Sequence, residues 1–186
     1  MRVSFNSPIV LLFTIICCVQ LLVSSVTRGA IDTFFVSPAV FDFSSLSSWG
    51  GLVLHIFGHA SFEHLVGNMT LILLMGPILE EKYGSGLLLF MILVTAVLTS
   101  CINAFLFDAG IIGASGIVFM MIVLSSFVNV RSGTLPVTFI LIVILYIGKE
   151  LYESLTPSNV SHFAHILGGC AGGAFGLMFS NNKNEL

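Results

Sequence analysis

The amino-acid sequence predicts an all-α, polytopic membrane protein, a bundle of six transmembrane helices, and three observations carry that prediction. Only 8% of the 186 residues are charged, against about a quarter in a water-soluble domain. Mean hydropathy is +1.08 and 56% of residues are hydrophobic, so hydrocarbon must be the solvent over most of the surface. The apolar residues gather into stretches near the ~20 residues that cross a bilayer as one helix. A chain of this length has no room for a second sizeable domain. Its net charge of −3, with no basic cluster, excludes nucleic acid as a partner, because nothing would displace counterions from a phosphate backbone.

Taken in order, the apolar stretches fall at about residues 8–26, 62–79, 87–107, 115–128, 135–151 and 162–179. The joints between them are short. Glu80 to Gly86 separates the second span from the third, and Asp108-Ala109-Gly110 the third from the fourth. Residues 129–134, with Arg131 and Gly133, follow the fourth, and residues 149–161, with Pro157, precede the sixth. One connection is long, residues 27–61. It holds Arg28, Asp32, Asp42, the only Trp (Trp49) and many Phe, Val and Ser, a mixture suited to lying partly in the membrane interface. Glu80, Glu81 and Lys82 read most simply as a wet cytoplasmic turn.

Six spans place both termini on one side. With the N-terminus inside, Arg2, Lys82, Arg131 and Lys183 are cytoplasmic and only Arg28 and Lys149 lie outside, the distribution that the positive-inside rule favours. The competing reading makes the first 30 or so residues a cleaved signal peptide, which would leave five spans. Against it, the apolar run exceeds the ~7–15 residues usual for such a segment. Cys17, Cys18, Cys101 and Cys170 all sit in apolar stretches without a Cys-x-x-Cys pair. They imply packing and neither a disulfide framework nor a metal site.

Polar groups at membrane depth are costly and tend to mark function, and here they cluster. His64 and Asn68 lie near the start of the second span, Ser115 opens the fourth, and His162 and His165 lie near the start of the sixth. Even-numbered spans all run the same way. Positions three to seven residues into them therefore share a level on the order of 5–10 Å below the outer surface. A serine hydroxyl needs a base within reach, and histidine is suited to that near neutral pH. His64, Asn68 and the Ser115 amide could then supply donors to an oxyanion, with His64 and Asn68 on one helix face. Small residues surround the hydroxyl in Gly113-Ala114-Ser115-Gly116, and Gly168, Gly172 and Gly176 form a stripe on the sixth span. Such a stripe lets another helix backbone come close, so it is expected to pack against the fourth span and deliver His165 to Ser115.

These motifs resemble the rhomboid intramembrane serine proteases. The resemblance rests on Gly113-Ala114-Ser115-Gly116, on Ala164-His165-Ile166-Leu167-Gly168 with Gly172, and on His55, His59, His64 and Asn68 upstream in order, with Glu80 and Gly84-Ser85 after the second helix. It covers about residues 49–179. It implies Ser115 as nucleophile and His165 as general base, a dyad without Asp. His64, Asn68 and the Ser115 amide would form the oxyanion hole, and His55 and His59 would be structural. The implied activity is an intramembrane serine endopeptidase that cleaves single-span or polytopic membrane-protein substrates within the lipid bilayer, near the outer face, through an acyl-enzyme. No metal and no organic cofactor is implied. The expected location is a bacterial inner membrane with cytoplasmic termini. Two positions depart from the family pattern. Trp49 is followed by Gly50 and not by Arg, so the outer connection should be anchored differently, and Phe119 stands where bacterial members often have Tyr. A phenyl face can still stack under an imidazole.

Two other functions compete. An inactive rhomboid-like binding protein is disfavoured because Ser115 and His165 are both present. A small transporter using histidines as a proton path would need ionisable residues at several depths, and the odd-numbered spans hold none in their interiors.

Overall fold

The structure is a computed structural model that describes residues 6–128 and 162–179, with positions 137, 140, 141, 144, 145 and 148 between them. Helices are α1 (Pro8–Thr27), α2 (Leu46–Leu54), α3 (Phe62–Tyr83), α4 (Ser85–Leu106), α5 (Ser115–Ser125) and α6 (His162–Phe179), with 3-10 turns at Asp32–Phe34 and His55–Phe57. No strand occurs among the described residues. α1, α3, α4 and α6 are long and apolar enough to cross a membrane. Six positions of the expected fifth span are helical. The rest of it, and the joint carrying Lys149, Glu150 and Pro157, lie outside the described residues, as do Arg2, Arg131 and Lys183.

The bundle is organised around the short helix α5. Ile117, Val118, Met120, Met121, Val123 and Leu124 of α5 are all buried, so α5 is apolar nearly all round, as a central helix must be. Its neighbours instead present one apolar face outward, including Leu12, Ile15, Val19 and Leu22 on α1 and Phe90, Leu93 and Val97 on α4. In lipid no hydrophobic force gathers helices, so close packing and polar contacts must do so. α6 packs most extensively on α5, where Gly168 lies against the Gly116 backbone, Gly172 against the Met120 backbone and Gly176 against the Phe127 ring.

Two stretches differ from the reading of the sequence. The connection 27–61 is not irregular throughout. It carries α2 and both 3-10 turns, ordered by a cluster in which Phe41 stands 5.0 Å from both Phe43 and Trp49. Trp49 Nε1 donates to the Phe43 carbonyl at 3.1 Å. Phe43, Leu46 and Trp49 stay exposed, an amphipathic surface of the kind found at membrane interfaces.

The second difference is a correction: Glu80 is not part of a wet turn. α3 continues to Tyr83, leaving only Gly84 before α4, and Glu80 is 4% exposed. The carboxylate accepts from the Ile9 and Val10 amides at 3.0 and 3.1 Å and from Ser85 Oγ at 2.6 Å. The first amides of a helix have no intrahelical acceptor, and Ser7 offers α1 no side-chain cap, so Glu80 supplies one from a different helix. Two residues on, Lys82 Nζ donates to the Phe127 and Val128 carbonyls just beyond the end of α5, where a cation meets the negative end of the helix dipole. Two charges two residues apart, whose roles only the assembled bundle shows, thus tie α3 to both helices.

Candidate active site

The short length of α5 sets the site. At 1.5 Å per residue, eleven residues span about 17 Å, far less than the neighbouring 22-residue helices. The helix therefore starts inside the bundle, and the chain enters it through residues 107–114, which have no regular structure. Ser115 is the first residue of α5. Its N–H is among those that a helix start leaves without an intrahelical acceptor, so both the hydroxyl and the amide are available at one point.

α6 brings His165 to that point. Its Nε2 lies 2.8 Å from Ser115 Oγ, and with Nε2 unprotonated the hydroxyl donates to it. The close approach depends on Gly168, one turn further along, where a side chain would collide with the Gly116 carbonyl. His165 is buried. Its ring stacks on Phe119 at 4.5 Å between centroids and 27° between planes, so the phenyl face fixes the plane of the imidazole. His162 lies 6.3 Å from His165 between ring centres, at the first position of α6.

α3 contributes the opposite wall. Ser61 caps it by accepting from the His64 amide at 3.1 Å, and His64 and Asn68 follow one turn apart. Asn68 Nδ2 donates to His59 Nε2 at 3.1 Å, which is possible because His59 Nδ1 donates to the Phe57 carbonyl, also at 3.1 Å. His59 thereby orients the Asn68 amide. His64 packs edge-on to His59, with ring centres 5.1 Å apart, and its ring edge faces Gly113. That glycine has φ +117°, and a Cβ there would lie 2.6 Å from His64 Cε1 and 2.7 Å from Nε2. Only glycine accommodates both the backbone conformation and the imidazole.

His55 stands apart from this wall. Its Nδ1 donates to the Gly51 carbonyl at 2.9 Å and its own carbonyl accepts from the Gly113 amide at 2.9 Å, joining the connection 27–61 to the entry of α5. Burial pushes the imidazoles of His55 and His59 down to about 4, so both are neutral near pH 7. Gly116 lies between the Ala164 carbonyl and Thr99, and Gly172 is a full turn below Gly168 on the same packing stripe.

Ser115, His165, His64, Asn68 and His55 line one cavity of about 410 Å³. Thr99 and residues 110–112 line it too and were not singled out in the sequence. A signal for Thr99 exists: Thr95, Thr99 and Asn103 recur every four residues in an otherwise apolar span, and all three are buried. No group of His, Cys, Asp and Glu able to hold a metal occurs among the described residues. A hydroxyl on a neutral imidazole, beside a free helix-start amide and an oriented side-chain amide, can attack a carbonyl and hold the oxyanion that results.

A family model described as Rhomboid domain matches residues 46–182. No curated protein matches the chain.

Proposed function

The chain belongs to the rhomboid family, and from that premise we propose that it is an intramembrane serine endopeptidase that cleaves membrane-spanning substrates near the outer face of a bilayer. The observation that carries this reading is the 2.8 Å contact between His165 Nε2 and Ser115 Oγ inside a cavity shared with His64 and Asn68. In the proposed reaction Ser115 Oγ attacks the scissile carbonyl while its proton passes to His165 Nε2. The oxyanion is held by the Ser115 amide, the Asn68 amide and the His64 ring. His165 then gives the proton to the departing amine, leaving an acyl-enzyme on Ser115. A water molecule, activated by His165 in turn, releases the second product. No carboxylate is needed as a third member to fix the imidazole plane, because Phe119 stacks on it.

Proposed substrates are single-span or polytopic membrane proteins, and the proposed setting is a bacterial inner membrane with both termini in the cytoplasm. The test is labelling by a fluorophosphonate serine probe together with cleavage of a single-span substrate in detergent. Wild type is expected to label and cleave. Ser115→Ala should do neither, and His165→Ala should lose cleavage by at least a thousandfold at an unchanged unfolding midpoint. Cleavage retained in both variants overturns the assignment, and a wild-type chain that neither labels nor cleaves points instead to an inactive binding member of the family.

A further inference from the structure

The segment that feeds the reactive serine has no secondary structure of its own, yet it is held at three alternate residues. Asn103 Nδ2 donates to the Ala109 carbonyl at 2.6 Å. The Ser37 amide donates to the Ile111 carbonyl at 2.8 Å, and the Gly113 amide donates to the His55 carbonyl at 2.9 Å. The first hold comes from α4 and the third from the 3-10 turn after α2, both regular elements. Ser37 belongs to neither, since residues 35–45 of the outer connection are irregular.

What makes Ser37 a firm support is its side chain. Ser37 Oγ lies 2.6 Å from Ser100 Oγ of α4, and both residues are fully buried, at 0% exposure. One hydroxyl donates to the other where water is excluded, and separating them would cost both buried groups this partner, which favours the paired state. The surroundings leave little slack. A Cβ on Gly110 would stand 2.6 Å from the Ser37 carbonyl, and Gly51 of α2 lies directly against the Val36 carbonyl. The outer connection is thus pressed between α2 and residues 110–111 and locked to α4 by one hydroxyl pair.

We propose that Ser37 is a positioning residue for the reaction at Ser115. Clasped to Ser100, it sets the depth of Ile111, and the two peptides from there to Gly113 carry that setting to the amide and hydroxyl of Ser115. The proposal rests on the protease reading above. Loss of the clasp should therefore act on the transition state, through a displaced nucleophile and oxyanion donor, more than on substrate capture.

The experiment compares Ser37→Ala, Ser100→Ala and the double variant in the full chain, by unfolding midpoint, kcat and KM on a single-span substrate, and the rate of fluorophosphonate labelling. Each single variant strands a buried hydroxyl and lowers the midpoint. The double variant strands none and regains most of that loss. If Ser37 positions the nucleophile, the double variant stays about tenfold down in kcat despite its recovered midpoint, with KM within about twofold of wild type. Labelling, which requires no docking of a membrane substrate, should slow in parallel in all three. A double variant with wild-type kcat, a defect confined to KM, or unchanged labelling in the single variants overturns the proposal while leaving the protease reading intact. A wild type that neither cleaves nor labels overturns both.

Discussion

Gly113 shows how much a single residue can carry at this site. Its φ of +117° lies where side chains rarely go, and the space a Cβ would need is taken by the His64 ring. Gly113→Ala should therefore displace His64 from the proposed oxyanion hole and strain the turn into Ser115. The expected result is a fall in kcat of about a hundredfold or more, with the variant still folded by circular dichroism. An active Gly113→Ala enzyme would show that the oxyanion does not depend on His64. Phe119 illustrates the opposite case, where chemistry is tolerant, since the stacking on His165 needs only a ring face. Ser115, His165, His64 and Asn68 could be singled out in the sequence because polar side chains in apolar helices are rare. Ser37 and Ser100 could not, since serine is common in loops and helices alike, and only their contact in the folded chain distinguishes a clasp from a solvated hydroxyl.

At the scale of elements, the pairing of α5 with α6 decides whether His165 and Ser115, the proposed base and nucleophile, meet. Gly168 is set against the Gly116 backbone, and a backbone cannot rotate away as a side chain can. Gly168→Ala should push α6 outward, costing about 1–3 kcal/mol of stability and separating His165 from Ser115. Thermal unfolding in detergent and cleavage rate should fall together, and an unaffected cleavage rate would mean that another contact sets the helix spacing. The four-residue recurrence of Gly168, Gly172 and Gly176 announced a close-packed face, and α5 is the helix it meets. The element boundaries were less legible. The joint around Glu80 looked wet because two acids and a lysine are adjacent in sequence. Glu80 instead caps α1 and Lys82 reaches the end of α5, partners 70 and 45 residues away that no local pattern reveals. The helix α2 was hidden for another reason, as nine residues with two adjacent glycines give little periodicity to read.

For the whole molecule, the connection 27–61 and the helical bundle respond to conditions as one unit. His55 and His59 are held near 4 by burial, below the ~6.5 of an unfolded histidine. The folded state thus refuses protons that the unfolded chain accepts as pH falls below ~6.5. Stability from these two groups is complete above that value and is lost progressively between pH 6.5 and 4. The unfolding midpoint should drop across this window, and His55→Asn should flatten the drop. A midpoint constant from pH 7 to 4.5 would contradict the assignment. Protonated His59 also could not accept from Asn68, so activity should decline over the same range. The cavity at Ser115 bears on the proposed substrates as well. A peptide bond within a helix is shielded by its own backbone hydrogen bonds, so under the proposed reaction a membrane-spanning substrate must unwind before it reaches Ser115. Placing Gly or Pro near the cut site should raise the cleavage rate, and a rate indifferent to them would exclude unwinding as a requirement.

By itself the sequence determined that this is a helical membrane protein of the rhomboid family and which few polar residues its membrane segments retain. These properties are additive, as transfer into lipid is decided residue by residue and motif spacing follows helix geometry. Only the tertiary structure decided which of those groups touch. The 2.8 Å between Ser115 and His165, the orientation of Asn68 by His59, the cap that Glu80 gives to α1 and the clasp of Ser37 on Ser100 all join residues on different elements. Short-range bonds of this kind depend on how close two backbones can come and at what angle, which the packing of the whole bundle sets and no single stretch of chain encodes.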